Sequence, residues 1–385
     1  MKRIHCFLKI VMAILLLQVS LFAQQAEVQI RDNLRFLKVT GTPHERGFQQ
    51  GAALKKEIHE IIQLWKSDLE RNFSLPADTF IVRFDRNTDF LSAIRLYTPD
   101  LLEELTGLSE GAGIDFQTLY IFQLIDEIWA MGRDVTRHHC TSFGLEKTES
   151  QPVMTGQNLD IPFFHGYQTL IHHEDPATGW QALVFTIPGI LGANGMNNRP
   201  VSVCVNTLLQ LKPSTDGLPV DFVVRGILAQ DSFEEAKDFI QTIKHAAGQN
   251  YLIGDEDKMA SFECSVTQAA EFRPFEGAGF TYHTNHPLSN TNVRASITEQ
   301  LEGQGPLPEL FTSRCRRFQA LQLTYPDNSV SLDLDEMKRI FRNRDWNVNN
   351  RSTYGCTIMV LTKNAELHIA PGRPHKEAFQ IYRFH

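Results

Sequence analysis

The chain has 385 residues, and 45 acidic against 37 basic side chains give it a formal net charge of −8. This length allows one large domain or two small ones. The charge is spread along the chain without a basic block or stripe, which argues against nucleic acid as a partner.

The first residues have the pattern of a secretory signal peptide. The charged "MKR" precedes the apolar run "FLKIVMAILLLQVSLF", and Ala23 supplies a small residue before a polar stretch. We therefore predict a signal peptide over residues 1–23 and a mature protein exported to the periplasm or the medium. The run is too short to remain as a permanent span, and no other stretch is long and apolar enough to cross a membrane.

The part of the chain before Cys140 is predicted to be mostly helical. "LRFLKVTG" is typical of a strand, and a long amphipathic helix is predicted from Pro43, followed by the helices "PDLLEELTGLSEGAG" and "DFQTLYIFQLIDEIWAMG". Asp115 is a candidate N-cap for the last of these. The apolar side of the long helix comprises Leu54, Ile58, Ile61, Ile62, Trp65 and Leu69.

After Cys140 the pattern changes to short strands separated by turn residues. "CTSFGLEK", "PVMTGQNLDI", "WQALVFTIPG" and "PVSVCVNTLLQ" come first, then a helical pair, then further strands and one late helix. "CTIMVLTKNAELHIAPG" predicts a hairpin that turns at Lys363–Asn364. Blocks of strands flanked by blocks of helices indicate a layered α+β fold rather than a doubly wound parallel sheet.

Cys140, in "RHHCTSFGL", has three possible roles. His138, His139 and Cys140 are potential metal ligands, but neighbouring residues of a strand point to opposite faces, and no second cluster has ligand spacing. A papain-like thiol paired with His286 is a second possibility, although such a cysteine opens a helix whereas Cys140 begins a strand.

The third possibility is an N-terminal nucleophile. A cut between His139 and Cys140 would give Cys140 a free α-amino group, which titrates near pH 7.7–8.0 and can serve as the general base for its own thiol. This explains a cysteine at the start of a strand with a helical segment before it. Of the other cysteines left after the leader (Cys204, Cys264, Cys315 and Cys356), Cys204 and Cys356 lie in apolar strand-like runs that favour inert core thiols.

Eight motifs follow one another along the chain: "GTPHERGFQQG", "GLSEGAGIDF", "CTSF", "GQNLD", "PGILGANGMNN", "NYLIGD", "YHTNHPL" and "LHIAPGRP". In their order and spacing they resemble the penicillin acyltransferase-like branch of the autoproteolytic N-terminal-nucleophile (Ntn) hydrolases, and more distantly the choloylglycine hydrolases and acid ceramidase. The resemblance implies a four-layer αββα sandwich with two antiparallel sheets between helical layers. It also implies a helical propiece over residues 24–139 and a catalytic piece over residues 140–385 that stay together as one compact domain, with no cofactor and no metal.

The resemblance assigns roles to individual residues. Cys140 would be the nucleophile of both self-cleavage and catalysis, and Asp160, in "GQNLD", would hold the new α-amino group. Asn285 falls at the oxyanion-hole position, where loss of one donor typically costs about 10²–10³ in rate. Asn197 would line the site, and Arg351 lies near a Ser-Arg pair of the acyltransferases. From the residues themselves, Phe163, Phe164 and Tyr167 are candidates for an acyl pocket, with core packing as the equal alternative.

Two positions depart from the family pattern. His139 replaces the glycine that usually precedes the nucleophile, and glycine tolerates the backbone strain of an N-to-S acyl shift better than histidine. Gln157 replaces the arginine of the amidase and ceramidase relatives, which argues against the lipid-amide substrates of those enzymes.

The predicted function is therefore hydrolysis of a linear small-molecule amide through an acyl-thioester on Cys140. Transfer of the acyl group to a second amine or thiol is one alternative. The other is an uncleaved, non-catalytic relative that acts as a binding protein, which His139 makes conceivable.

Overall fold

The computed structural model describes residues 26–132, 140–161, 163–330 and 332–384. The predicted signal peptide over residues 1–23 lies outside the described residues, and so do His138 and His139 of the predicted cleavage site.

The described residues form two β-sheets. The larger sheet has nine strands in the order β1-β2-β5-β6-β7-β8-β9-β10-β11, and the smaller has six in the order β12-β3-β4-β13-β14-β15. The strands are β1 (Val28–Arg31), β2 (Leu34–Thr40), β3 (Thr141–Leu145), β4 (Val153–Asp160), β5 (Thr169–Asp175), β6 (Trp180–Thr186), β7 (Asn194–Asn197), β8 (Ser202–Thr207), β9 (Gln249–Gly254), β10 (Met259–Cys264), β11 (Ala269–Phe272), β12 (Phe280–His283), β13 (Thr353–Leu361), β14 (Glu366–Ala370) and β15 (Gln380–Arg383).

Thirteen helices lie in the described part of the chain. They are α1 (Pro43–Ala53), α2 (Lys55–Phe73), α3 (Ala77–Arg86), α4 (Phe90–Tyr97), α5 (Pro99–Ala112), α6 (Phe116–Phe122), α7 (Ile125–Met131), α8 (Val220–Ile227), α9 (Phe233–Thr242), α10 (Ala295–Gln300), α11 (Leu307–Ser313), α12 (Arg316–Thr324) and α13 (Leu334–Arg342). Over the described residues, none of these is both long and apolar enough to cross a membrane.

The two sheets pack face to face, with helices on both outer faces. Side chains bond across the inter-sheet space: Ser142 Oγ on β3 donates to Asn206 Oδ1 on β8 at 2.7 Å, and Thr155 of β4 bonds Ser202 at 2.8 Å. Helices α12 and α13 cover the six-stranded sheet, while α8, α9 and the helices before Cys140 cover the other. The predicted α+β architecture of four αββα layers is confirmed, with one parallel pairing, β2 to β5, among otherwise antiparallel strands.

The helices before Cys140 follow the predicted pattern but are interrupted twice. The predicted long helix ends at Ala53 and restarts at Lys55, because α1 buries small and polar residues whereas α2 buries the apolar face that the sequence predicts. The later helix divides into α6 and α7 around Gln123, whose side chain donates to Gly189 O at 2.7 Å. Asp115 caps α6 as expected, accepting from the Thr118 N–H at 2.8 Å.

Helices α1 and α5 touch through glycine faces. A Cβ added to Gly47 would lie 1.8 Å from Glu104 O, and one added to Gly107 would lie 2.0 Å from His44 O. Only glycine allows the two backbones to approach this closely. The glycines of the motifs "GTPHERGFQQG" and "GLSEGAGIDF" therefore allow two helices of the predicted propiece to pack closely together.

Residues on the two sides of Cys140 share one core. Strand β2 pairs with β5 inside the nine-stranded sheet. The Leu191 N–H donates to Gln123 Oε1 at 2.8 Å, and the Val220 N–H donates to Glu127 Oε1 at 3.0 Å. The segment before Cys140 is thus tied to the remainder of the chain by backbone and side-chain bonds.

Glu127 makes this junction sensitive to pH. Its side chain is buried, and burial together with the charge of Asp126 raises the pKa of Glu127 to about 8, from 4.5. An acid whose pKa is raised by folding contributes stability that is complete below its unfolded pKa and is lost as pH rises through the folded value. One pKa unit corresponds to about 1.36 kcal/mol.

We expect Glu127→Gln to remove this pH dependence while keeping the acceptor for Val220. Between pH 5 and pH 9 the wild-type free energy of unfolding should fall by roughly 2 kcal/mol relative to the variant, once relaxation around the charge is allowed for. Urea unfolding at the two pH values measures this difference. Glu103→Gln, at an exposed position of α5, is the matched control. If the free energy of unfolding changes equally with pH in the wild type and in Glu127→Gln, Glu127 is not the source of the pH dependence.

Candidate active site

Cys140 lies directly before β3 and next to the end of β4. The antiparallel register places Thr141 opposite Asn158, which brings Cys140 beside Asp160. The Asp160 N–H lies 3.4 Å from Cys140 Sγ, and Cys140 is 6% exposed. The predicted nucleophile and its predicted orienting carboxylate are therefore neighbours.

The carboxylate of Asp160 is bonded at one oxygen. Oδ2 accepts a hydrogen bond from the side-chain amide of Asn350, and the Thr353 hydroxyl also bonds the carboxylate. Oδ1 is buried and has no partner among the described residues. Burial raises the pKa of Asp160 to about 7, while the charge of Arg317 and the two hydrogen bonds act in the opposite direction. Asp160 thus keeps a free acceptor oxygen.

A buried arginine connects Cys140 to Asn285. Arg317 Nη1 donates to the Cys140 carbonyl and to Thr141 Oγ1 (3.0 Å), and Nη2 donates to Asn285 Oδ1 (3.1 Å). Asn285 Nδ2 donates to Thr207 O at 3.0 Å, which leaves its second N–H without a partner in the described part of the chain. The arginine fixes the orientation of the amide because it occupies the oxygen end.

The Cys140 thiol is a poor nucleophile in this environment. Burial, with a further contribution from the charge of Asp160, raises the pKa of Cys140 to about 12, against the weaker opposing effects of the Asp160 N–H and Arg317. A thiol with this pKa stays protonated at neutral pH, so reaction at Cys140 requires a base close to the sulfur.

His286 influences the pKa of Cys315. Cys315 precedes α12, and its thiol contacts Thr284 Oγ1 at 3.6 Å. Burial acts to raise the pKa of Cys315, but the hydrogen bond from His286 and the charges of Arg317 and His286 lower it to about 6. The histidine considered as a partner for Cys140 thus lowers the pKa of a different cysteine.

We expect Cys315 to be the reactive thiol when Cys140 is absent. In a Cys140→Ala variant at pH 7, iodoacetamide should modify Cys315 at least about 10-fold faster than the other three cysteines. Burial raises the pKa of Cys204, Cys264 and Cys356, and all are free and buried, as predicted for Cys204 and Cys356. Mass spectrometry of tryptic peptides measures the rates, and Cys315→Ser is the control; uniform labelling would contradict this order.

Two of the three predicted acyl-pocket aromatics line an apolar cavity. Phe163 and Phe164 border a space of about 210 Å³ whose other walls come from α2 and α7, including Trp65, Ile128 and Trp129. Tyr167 does not line this cavity; its hydroxyl donates to Glu60 at 2.9 Å and its ring lies under Arg35. Tyr167 ties the loop after Asp160 to α2, and its place in an acyl pocket stays a prediction.

Asn197, which is predicted to line the site, is fully hydrogen-bonded within the protein. Its Nδ2 donates to Leu228 O (3.0 Å) and Gln230 O (2.7 Å), and its Oδ1 accepts from the Arg199 and Val201 N–H groups. These four bonds use the whole carboxamide to hold a turn under the end of α8. Asn197 has no donor left for a ligand.

Arg351 and Gln157 also have defined surroundings. Arg351 is exposed and borders a large cavity together with Asn350, the residue that bonds Asp160. Gln157 lies between the sheets, where its amide bonds both the N–H and the C=O of Val205. The described residues contain no group of three or more potential metal-ligating side chains.

Two members of the site carry no sequence signal that we recognised. Arg317 lies in "RCRRF" and Asn350 in "NVNNRS", segments far along the chain from Cys140 without a catalytic motif. Only the fold brings them to Cys140 and Asp160. An asparagine-rich run before a strand is more often a turn signal than a site signal.

Comparison with known proteins gives the family. Residues 147–367 match the family described as acyl-coenzyme A:6-aminopenicillanic acid acyl-transferase. The acyl-coenzyme A:6-aminopenicillanic-acid-acyltransferase of Emericella nidulans is 24% identical over 72% of this chain and 74% of its own length. Protein dcd1B of Dictyostelium discoideum is 24% identical over 52% of this chain, and the chain spans only 44% of that relative's length.

Among solved structures, the conjugated bile acid hydrolase of Clostridium perfringens is similar at a TM-score of 0.37, with 16% identity, over 64% of this chain and 97% of that chain. Penicillin V acylase of Agrobacterium tumefaciens is similar at a TM-score of 0.37 and 17% identity, over 60% of this chain and 83% of that chain. The family match covers more than half of the chain. The resemblance predicted from the motifs is thereby confirmed: the chain belongs to the penicillin acyltransferase family.

Proposed function

We propose that the protein is an exported cysteine Ntn hydrolase that cleaves a linear amide bond through an acyl-thioester on Cys140. In this proposal the chain activates itself by breaking the bond between His139 and Cys140. The helical propiece then stays bound to the catalytic piece. The observation that carries the proposal is the pairing of Cys140 with Asp160, whose Oδ1 is buried without a partner among the described residues.

The first step of the proposal is self-cleavage. Cys140 Sγ attacks the carbonyl carbon of His139 and the thiol proton passes to the peptide nitrogen. The C–N bond then breaks, so that a thioester forms and the nitrogen leaves as the α-amine of Cys140. Water then hydrolyses the thioester to the His139 carboxylate and the free thiol. Nothing is consumed except one water molecule.

The new α-amine supplies the base that the thiol lacks. With a pKa near 7.7–8.0, roughly a tenth of the amine is unprotonated at pH 7 and able to accept a proton, whereas the thiol alone, with a pKa of about 12, does not ionise. Asp160 Oδ1 is a ready acceptor for an N–H of this amine, and Asn350 and Thr353 hold the carboxylate in place. This arrangement orients the amine toward the sulfur of the same residue.

In the catalytic cycle the thiolate attacks the substrate carbonyl and the α-amine passes the proton to the departing amine. The free N–H of Asn285, whose orientation Arg317 fixes, is the candidate donor to the oxyanion. Hydrolysis of the acyl-thioester completes the reaction. The matched family and the Emericella nidulans relative are both named as acyltransferases, which supports a reaction that transfers an acyl group.

Acyl transfer is the second candidate, favoured by the name of the matched family. An added amine would compete with water for the same thioester. Mass spectrometry of the products with and without an acceptor such as glycinamide separates the two: a new amide indicates transfer, whereas only free acid indicates hydrolysis.

Denaturing electrophoresis with N-terminal sequencing of the purified protein tests the proposal. Two chains are expected: the propiece, which begins after the leader, and the catalytic piece, which begins "CTSFGL". Recovery from the periplasm or medium tests export. An uncut chain that nevertheless hydrolyses amides would contradict the mechanism. An uncut chain without activity would favour the non-catalytic alternative.

A further inference from the structure

A buried carboxylate bonds the loop that carries Asn285. Glu263 lies in β10 of the nine-stranded sheet, whereas Asn285 follows β12 of the six-stranded sheet. The side chain of Glu263 is completely buried. Because a buried charge is costly unless it is paired and hydrogen-bonded, the partners of this carboxylate define its role.

The carboxylate of Glu263 bonds residues on both sides of Asn285. Before Asn285, His283 Nε2 lies 2.8 Å from Glu263 Oε1. After Asn285, three consecutive backbone N–H groups donate to the two carboxylate oxygens at 2.7 to 3.0 Å, those of Leu288, Ser289 and Asn290. Bonds from an ionised carboxylate to N–H groups are charge-assisted and therefore stronger than neutral ones. One side chain thus fixes both ends of the loop over residues 284–290.

Asn290 fixes the far end of this loop a second time. Its Nδ2 donates to Glu263 O at 2.8 Å and to Gln268 O at 2.9 Å, and its Oδ1 accepts from the Asn292 N–H at 2.9 Å. The backbone of Glu263 therefore holds the same loop as its side chain does. The end of the loop is tied to β10 and to the turn after it.

The near end of the loop lies beside Cys140. Strand β12 is antiparallel to β3, with His283 opposite Ser142. Continued by two residues, this register places Asn285 opposite Cys140, and Arg317 bonds both of them. The position of the Asn285 amide relative to the sulfur therefore depends on a short segment whose two ends bond Glu263.

We infer that Glu263 is a positioning residue for the oxyanion donor. Its carboxylate holds the loop so that the Asn285 amide faces the carbonyl that Cys140 attacks, and it acts through Asn285 rather than on the substrate. Such a donor is effective because it is already in place when the charge develops and needs no reorganisation. This inference rests on the proposed function, because it assigns the support of the donor that the proposed reaction uses.

A double-mutant cycle tests the inference. Processed protein, checked by electrophoresis, is assayed with N-hexanoyl-4-nitroanilide. We expect Asn285→Ala to lower kcat by about 10²–10³-fold. Glu263→Gln should lower kcat by about 10-fold and change KM by less than about 3-fold, because the oxyanion forms only in the transition state. The double variant should be no slower than Asn285→Ala alone, since Glu263 then has no donor left to position.

Two further variants complete the cycle. Glu271→Gln, at an exposed position of the neighbouring strand β11, is the matched control and should leave kcat unchanged. Glu263→Asp keeps the buried charge but is one methylene shorter; it should also lower kcat, and it replaces Glu263→Gln in the cycle if that variant does not fold. Losses that multiply in the double variant, or folded Glu263 variants with kcat within about twofold of the wild type, overturn the inference.

Hydrogen exchange separates this inference from the proposed function. In a Cys140→Ala background, Glu263→Gln should speed amide exchange of residues 284–290 by at least about 10-fold while strand β13 keeps its protection. Faster exchange in the loop supports Glu263 as its anchor even if the nitroanilide is not turned over, a result that would count against the proposed function alone. Unchanged exchange in the loop would overturn the inference even in an active enzyme.

Discussion

Replacing Cys140 with alanine is expected to leave the chain uncut and to lower amide turnover by about 10⁴-fold or more. The effect should be this large because one sulfur carries both the self-cleavage and the acyl transfer in the proposed mechanism. Cys140→Ser should retain slow, partial cleavage, since a hydroxyl can make the same attack with a weaker nucleophile. Electrophoresis after prolonged incubation, together with the rate of amide hydrolysis, measures both effects.

Cys264→Ala is the matched control for this experiment. Cys264 is another buried free cysteine, in strand β10, and it should keep both cleavage and turnover. Cleavage of the Cys140→Ala chain at the same bond would point to a foreign protease. Turnover by an intact Cys140→Ala chain would remove Cys140 from the chemistry altogether.

The sequence predicts the layers of this fold well because its local patterns are strong. The apolar face from Leu54 to Leu69 is buried as expected, and the hairpin of β13 and β14 turns near Lys363–Asn364 as expected. The breaks at Leu54 and Gln123 were not predictable. Beside them, the glycines of α1 pack against α5 and Gln123 bonds the backbone of Gly189, both distant in sequence. Local periodicity contains no information about such partners.

The site is only half predictable for the same reason. Cys140, Asp160 and Asn285 lie in recognisable motifs, and the structure brings Cys140 into contact with Asp160 and, through Arg317, with Asn285. Arg317 is separated from Cys140 by 177 residues. The sequence alone does not distinguish a carboxamide that holds a turn, as that of Asn197 does, from one that binds a ligand.

The proposed activation requires that two pieces stay together once the chain is cut. A buried ion pair connects them. Arg225 on α8 donates to both carboxylate oxygens of Glu104 on α5, at 2.7 and 2.9 Å, and Arg46 of α1 lies 3.5 Å from the same carboxylate. Glu104 and His173, which contacts it at 3.7 Å, are both completely buried. Residues on each side of the predicted cut therefore share one set of buried charges.

Glu104→Gln is expected to destabilise the uncut protein by about 3–5 kcal/mol. The variant leaves Arg225 and Arg46 buried without a counter-charge, whereas the glutamine keeps the volume and some hydrogen bonds. Urea unfolding in a Cys140→Ala background, where a single chain unfolds, measures the change. In the processed protein the same substitution should promote separation of the two pieces on size-exclusion chromatography.

The pH dependence distinguishes loss of charge from loss of packing. Burial acts to raise the pKa of Glu104, but the charges of Arg225 and Arg46 and the hydrogen bonds from Arg225 outweigh it and lower the pKa to about 2. A carboxylate whose pKa is lowered by folding stabilises the folded state at pH values above its unfolded pKa. That stability is lost as the pH falls through its folded pKa. The difference between wild type and Glu104→Gln should therefore be greatest above pH 4.5 and shrink toward pH 2. Glu110→Gln, on the exposed side of the same helix, is the control and should change the free energy of unfolding by less than about 0.5 kcal/mol. If Glu104→Gln has an equally small effect, the buried ion pair does not hold the two pieces together.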